Sequence, residues 1–221
     1  MILLASKSSG RLATLRAAGV EPLVRVSTVD EEAVLGELIQ RRRDAGLTAP
    51  SAAEQVQALA RAKALDVMAS TDPQEAKVVV GCDSMLEISG QVVGKPADAA
   101  QARERWQMMS GGTGTLHTGH FLVRTADGAI AEGVSSATIR FGSPTQTEIE
   151  AYIASGEPLW CAGAFTIDGL GGAFIEGIDG DPHGVVGISL PLLRRLLADL
   201  EVLWTDLWAP PPVSKPTGDA H

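Results

Sequence analysis

Val78-Val79-Val80-Gly81-Cys82-Asp83-Ser84 is the stretch whose reading decides this chain. Three β-branched residues followed by small, apolar ones predict a buried strand from Val78 to Cys82. Asp83 and Ser84 then stand at its carboxyl end, the edge at which α/β sheets open their ligand crevices. A carboxylate there can bind a divalent cation or take a proton from an attacking water. The same aspartate can instead be a turn residue, because a hairpin is expected next, Met85 to Ile88 and Gln91 to Val93 joined through Ser89-Gly90.

Upstream, Ile2 to Ala5 reads as a short buried strand. A polar loop, Ser6-Lys7-Ser8-Ser9-Gly10, leads into a helix with Leu12, Leu15 and Ala18 on one face and a stop at Gly19. Val24 to Val26 precede an acidic triplet, Asp30-Glu31-Glu32. Arg41-Arg42-Arg43 mark exposed helix or insertion, and Ser51 caps a helix carrying Val56, Leu59, Ala60, Lys63, Ala64 and Val67 at helical spacing. Downstream, a helix from Asp98 buries Ala99, Ala102, Trp106 and Met109 and ends in the loop Ser110 to Gly114. Gly119 to Arg124 and Ser136 to Phe141 flank Asp127-Gly128 as two antiparallel strands. A helix from Thr145 to Ala154, a glycine-rich stretch from Gly163 to Gly180, and a last helix with Pro191 in its first turn complete the order. That last helix presents Leu192, Leu193, Leu196, Leu197 and Leu200. Strands alternating with helices, and no repeat or linker, predict one elongated α/β domain over residues 1–204, a twisted mixed sheet flanked by helices. Residues 205–221, with Pro210-Pro211-Pro212 and no apolar periodicity, are expected to be an unstructured tail.

Composition excludes several classes of function. At 221 residues, 45% hydrophobic and 20% charged, the chain can bury a core without disulfides or structural metal. Its formal charge of -9 gives no counterion-release advantage on a duplex, so no nucleic-acid partner is expected, although a few clustered cations can still hold a small anion. Cys82 and Cys161 are the two cysteines and form no CxxC, which predicts two reduced, buried thiols. The N-terminus is too short and uncharged for a signal peptide. No apolar run approaches the ~20 residues of a membrane span, so a soluble cytoplasmic protein is expected.

The Ser6 to Arg11 loop, where a strand feeds a helix, offers hydroxyls and unpaired N–H groups to an anion, with Lys7 and Arg11 as counter-charge. Ser8 or Ser9 can equally be a simple cap. Gly94-Lys95-Pro96 is not a phosphate loop of the Walker kind, since Gly90 precedes Gly94 by one residue too few and Pro96 replaces the hydroxyl residue. Lys95 nevertheless stands fixed at a hairpin end. Glu31 and Glu32 supply further carboxylates or a solvated helix start. His117 and His120, three apart on a strand, point to opposite faces, which argues against shared ligation. No G-x-S-x-G, HExxH or GxGxxG is present.

In this order the pieces resemble the Maf family of nucleoside triphosphate pyrophosphatases, from about Leu3 to Leu200. The opening Leu4-Ala5-Ser6-Lys7-Ser8-Ser9-Gly10-Arg11 is similar to the family's L-A-S-x-S-P-R-R. Asp30-Glu31, Ala60-Arg61-Ala62-Lys63-Ala64, Gly81-Cys82-Asp83-Ser84 and Gly94-Lys95-Pro96 follow in the family's order. So do Ser110-Gly111 through Thr118-Gly119, Ala162-Gly163-Ala164-Phe165, Gly169-Leu170-Gly171-Gly172 and Val185-Val186-Gly187. The resemblance implies a Maf/ITPase-like fold and water attack on the α-phosphorus of a nucleoside triphosphate, with pyrophosphate leaving. It implies Asp83 as general base, Ser6, Ser8, Arg11, Lys63 and Lys95 as the polyphosphate cradle, and Glu31 with Asp83 on the side of a divalent metal, Mg²⁺ or Mn²⁺. A homodimer is also implied. The competing reading is a nucleotide-binding regulator of septum formation with little or no turnover.

The departures fall on specificity. Ser9 and Gly10 replace the family's proline and first arginine, and Cys161 stands where a lysine is frequent, which is similar to the C-A-G branch that favours 7-methyl-GTP. Asp168 occupies the position that is Gln in the dTTP/UTP branch and Glu in the methyl-GTP branch, and Ser84 replaces a threonine. Gly10, Ser84 and Asp168 thus fit neither set, leaving base preference open.

Overall fold

The computed structural model describes residues 1–209. Its first strand, β1 (Ile2–Leu4), is buried at every position and turns Ile2 and Leu4 to one face of the sheet and Leu3 and Ala5 to the other. After β1 come α1 (Ser9–Ala17), β2 (Leu23–Val24), α2 (Glu31–Asp44) and α3 (Ala52–Met68). The central strand β3 (Val78–Ile88) and β4 (Gln91–Val93) form the expected hairpin, followed by α4 (Ala99–Met109). The remainder comprises β5 (Thr113–Arg124), β6 (Ile130–Phe141), α5 (Gln146–Ala154), β7 (Ile175–Asp179), α6 (Pro182–Val186) and α7 (Leu190–Asp199), with short 3₁₀ turns between them. Among the described residues these strands make one seven-stranded mixed sheet in the order β2-β1-β3-β5-β6-β7, with β4 on β3. β1 runs parallel to β2 and β3, while β3, β5, β6 and β7 pair antiparallel. The predicted α/β domain on a twisted mixed sheet is the observed one.

Helices cover both faces. On one, α3 lays Ala60, Ala64 and Val67 on Leu3, Val79, Phe121 and Val123. On the other, Leu15 of α1 and Leu193, Leu196 and Leu197 of α7 pack on Ile2, Leu4, Val78, Val80 and Leu122. A second core at the far end of β3 gathers Trp106, Phe141, Tyr152 and Phe165, with edge-to-face ring pairs. α3 can approach the sheet so closely because two strand residues beneath it are glycines. A Cβ on Gly119 would lie 2.5 Å from the Val56 carbonyl oxygen, and one on Gly81 would run into that of Ala60. α3 is fixed at its start by a full capping box, Ser51 with Glu54.

Several expectations are corrected. Asp83 and Ser84 do not end a strand, because β3 continues to Ile88, held by β5 along Val78–Glu87. The crevice is made instead by the neighbour: β1 stops at Leu4, opposite Val80, so β3 projects beyond it and Asp83 lies past that end. β5 and β6 each begin earlier than Gly119 and Ser136, at Thr113 and Ile130, since pairing along the whole hairpin satisfies backbone groups that isolated patterning cannot register. In α1 the buried residues are Arg11 and Leu15, not Leu12. Cys82 is buried but Cys161 only partly so. Arg41–Arg43 close α2, a helix with no fully buried residue that meets the core only through half-buried Val34 and Leu35. The chain stays packed past residue 204: Leu207 is buried and Trp208 bridges to Val20. The rest of the expected tail, 210–221, lies outside the described residues. No described helix is long and apolar enough to cross a membrane.

Candidate active site

The crevice beyond β1 receives side chains from both faces of β3, because successive strand residues point oppositely. Asp83 faces α3 and Ser84 faces α1. Lys63, one turn after Ala60 on α3, places its ammonium 2.5 Å from Asp83 Oδ1 and 2.7 Å from Glu31 Oε1, the first residue of α2. A single lysine thus bridges a carboxylate 8% exposed and one at the surface. Burial pushes the Asp83 carboxyl above the usual carboxylate range, and the positive charges of Lys63 and Arg11 pull it partly back. Its neighbour Cys82 is wholly buried and its thiol is pushed up to about 11 by desolvation, so it stays protonated and inert.

On the α1 side, Ser8 is the N-cap, accepting from the Arg11 N–H at 3.4 Å, so the capping alternative holds for that hydroxyl. Ser6 is buried and accepts from the Ser8 N–H and from Arg11 Nη1, at 3.2 and 3.0 Å. Arg11 also donates through Nε to the Gly187 carbonyl at 2.7 Å and through Nη2 to Ser84 Oγ at 3.1 Å. Thr118 Oγ1 donates to the Gly184 carbonyl at 2.8 Å and sits 2.8 Å from Ser84 Oγ. With the threonine proton already given, Ser84 must donate to Thr118 and accept from Arg11, which fixes the direction of the chain. Arg11 therefore ties α1, β3 and the turn after α6 together, and two of its five N–H groups have no partner among the described residues.

Lys95, at the end of β4, is exposed, yet its ammonium is held below its ordinary value. Partial desolvation is the first cause; next come the positive charges of Lys7, Arg11 and Lys63, opposed by Glu31. Lys95 thus feels three other cations, Lys7 and Arg11 from the opening loop and α1 and Lys63 from α3, around one crevice beside a helix N-terminus, an arrangement that can receive an anion. Two of the positions expected to set specificity meet: a Cβ on Gly10 would stand 3.9 Å from Asp168 Oδ2 and 3.1 Å from Val186 Cγ1. Ser84 is held by Arg11, the residue after Gly10.

The expected cradle residues Ser6, Arg11, Lys63 and Lys95 and the carboxylates Asp83 and Glu31 are thus neighbours, while Ser8 is occupied with capping. Three contributors escaped the sequence reading. Thr118 lies inside the Ser110–Gly119 stretch, and its place beside Ser84 depends on the register of β3 with β5. Glu157, in the turn after α5, accepts from Thr166 Oγ1 at 2.5 Å and from the Leu170 and Gly171 N–H groups at 3.0 Å, and so holds the loop that carries Asp168. Arg105 on α4 donates to the Gly94 carbonyl at 2.6 Å. Charged residues spaced along helices and turns read as solvated faces, and nothing local distinguishes these.

Fold and site together define an α/β protein with a cation-lined crevice around a buried carboxylate. The chain belongs to the Maf-like protein family, whose model matches residues 1–200. It is 53% identical over 209 residues to a protein of Streptomyces coelicolor named nucleoside triphosphate pyrophosphatase, covering 95% of each chain. Proteins of the same name from Saccharopolyspora erythraea and Mycobacterium sp. (strain JLS) are 51% and 49% identical over 215 and 212 residues, covering 94% of this chain and 97% of each relative.

Proposed function

We infer that this protein is a nucleoside triphosphate pyrophosphatase, cleaving the α–β phosphoanhydride with water to give a nucleoside monophosphate and pyrophosphate. The observation that carries the reading is the buried Asp83 carboxylate paired with Lys63, with Lys95 near enough to feel the charges of Lys7, Arg11 and Lys63. The names of relatives at about half identity over nearly the whole chain support it.

In this reading Asp83 takes the proton of the attacking water, for which its raised affinity suits it. Lys63 pairs with Asp83 and Glu31 in the free protein, offsetting one of their two charges, and turns to the polyphosphate when that arrives. Lys95, Lys7 and Arg11 with the α1 N-terminus balance the remaining phosphate charge, so that catalysis rests on positioning and electrostatics. Among the described residues no three His, Cys, Asp or Glu side chains gather to form a closed metal site. Two carboxylates, Asp83 and Glu31, fit a hard cation that completes its shell with substrate oxygens. Mg²⁺ or Mn²⁺ held there would neutralise the bridging and leaving oxygens. Gly10, Ser84 and Asp168 set the base preference, and the protein works in the cytoplasm as a homodimer without nucleic-acid or membrane partners.

A panel of canonical and methylated triphosphates with Mg²⁺ or Mn²⁺, assayed for pyrophosphate, tests this directly. Asp83→Asn is expected to fold and to lose at least ~10²–10⁴ of turnover, the usual contribution of one proton-transfer group. Wild-type silence across the panel, or near-wild-type release by Asp83→Asn, overturns the assignment.

A further inference from the structure

Arg105 is an arginine buried without an acid. It is 7% exposed, and among the described residues it makes no ion pair, whereas Arg103, two positions before it, binds Glu150. Burial alone holds its guanidinium below the ordinary value. An uncompensated charge in the interior is costly, and a neutral donor could satisfy carbonyl groups without that cost. The charge needs another explanation.

Its partners supply one. Nη1 donates to the Gly94 carbonyl at 2.6 Å, and Nη2 to the Lys95 carbonyl at 3.3 Å and to Gln101 Oε1 at 2.9 Å. Gln101 Oε1 in turn accepts from the Ala97 N–H at 2.8 Å, closing the far side of the loop around buried Pro96. The Gly94 carbonyl also accepts from the Gly163 N–H at 2.9 Å, and the adjacent Trp106 Nε1 donates to the Ala164 carbonyl at 2.9 Å. Consecutive residues of α4 thus join the loop bearing Lys95 to the turn after Cys161.

We propose that Arg105 is the positioning residue of the phosphate cradle: its planar fork holds the Gly94-Lys95 backbone so that the Lys95 ammonium faces Lys7, Arg11 and Lys63. The inference rests on the polyphosphate reading of the crevice given above. The permanent charge strengthens each of the three hydrogen bonds that the fork donates to Gly94, Lys95 and Gln101, which a neutral donor would make more weakly. Lysine cannot replace it, because one ammonium lacks the fixed geometry to serve both carbonyls and Gln101.

The test uses the full chain, inorganic tripolyphosphate binding by calorimetry, and KM and kcat for pyrophosphate release. Arg105→Gln is expected to weaken tripolyphosphate binding and raise KM about ten- to hundredfold, the worth of one charge-assisted hydrogen bond, with kcat much less changed. Arg105→Lys should not restore binding. The combination with Lys95→Ala should bind no more weakly than Lys95→Ala alone, a coupling that a general loss of packing would not give. Additive losses, or unchanged binding by Arg105→Gln, overturn the proposal. Should Arg105→Gln fail to fold, Gln101→Ala at the exposed end of the same network is expected to weaken binding several-fold, again only when Lys95 is present; unchanged affinity overturns the proposal. A wild-type protein that binds tripolyphosphate yet releases no pyrophosphate refutes the pyrophosphatase reading, while the Arg105–Lys95 coupling is still read from binding.

Discussion

Acid should unfasten this protein through His120. The ring is fully buried on β5, with Nδ1 donating to the Thr118 carbonyl at 3.0 Å and Nε2 accepting from the Ser189 N–H at 2.9 Å. Ser189 is the N-cap of α7, so the imidazole completes a helix start and must be neutral at Nε2 to do so. Desolvation lowers its pKa to about 4, with Arg11 adding to the effect and the Thr118 carbonyl and Asp181 opposing it. In the unfolded chain an unperturbed histidine takes its proton near pH ~6.5. Above that pH both states are neutral and the full stability is present. As pH falls from about 6.5 towards 4 the unfolded state alone is protonated, and stability is lost at about 1.4 kcal/mol per unit. The total approaches ~3 kcal/mol, a large part of the 5–15 kcal/mol typical of a domain. His120→Gln keeps a donor and an acceptor but cannot titrate. Urea denaturation of both proteins between pH 7.5 and 4.5 should show the variant less stable at the upper end, with the gap closing by roughly 2–3 kcal/mol at the lower. Parallel profiles would refute the buried, neutral ring.

Two further outcomes follow from the geometry. Gly119→Ala drives a Cβ to 2.5 Å from the Val56 carbonyl oxygen, a backbone group that cannot step aside, so a loss of ~3 kcal/mol or more and a melting point lower by roughly 6–10 °C are expected. Gly36→Ala on α2, with nothing within 4 Å of the new methyl, should instead be neutral or stabilising, and equal melting shifts for the pair would contradict the close packing of α3. Because the Asp83 base must be ionised and burial raises its pKa, kcat/KM should fall with pH through a value above the ordinary ~3.9 of an aspartate. Lys63→Met removes the main charge opposing that shift and should move the acid limb further up; an unmoved limb would detach the limb from this pair.

The sequence carried much of the site because the chemistry is concentrated in short local segments. The opening loop, the lysine on α3, Asp83 and the Gly94-Lys95-Pro96 corner are each legible within a few residues, and the helical spacing around Lys63 already put it beside the core-facing Ala60 and Ala64. By themselves these segments also determined the α/β class, through the buried β-branched run at Val78–Val80 and the 3.6-residue patterns on either side. Distance along the chain hid the rest. That Asp83 lies within a strand and still faces a crevice depends on where β1 ends, 79 residues earlier in sequence, opposite Val80. Whether Arg11 reaches a ligand or holds Ser6, Ser84 and Gly187 depends on partners brought from two other segments. Arg105 and His120 gave no local sign at all: a charged residue on a helix and a polar one on a strand usually face water, and only the assembled core shows these two turned inward. Patterning records which faces are apolar, whereas the worth of a buried polar group is set by the partner that tertiary packing delivers to it.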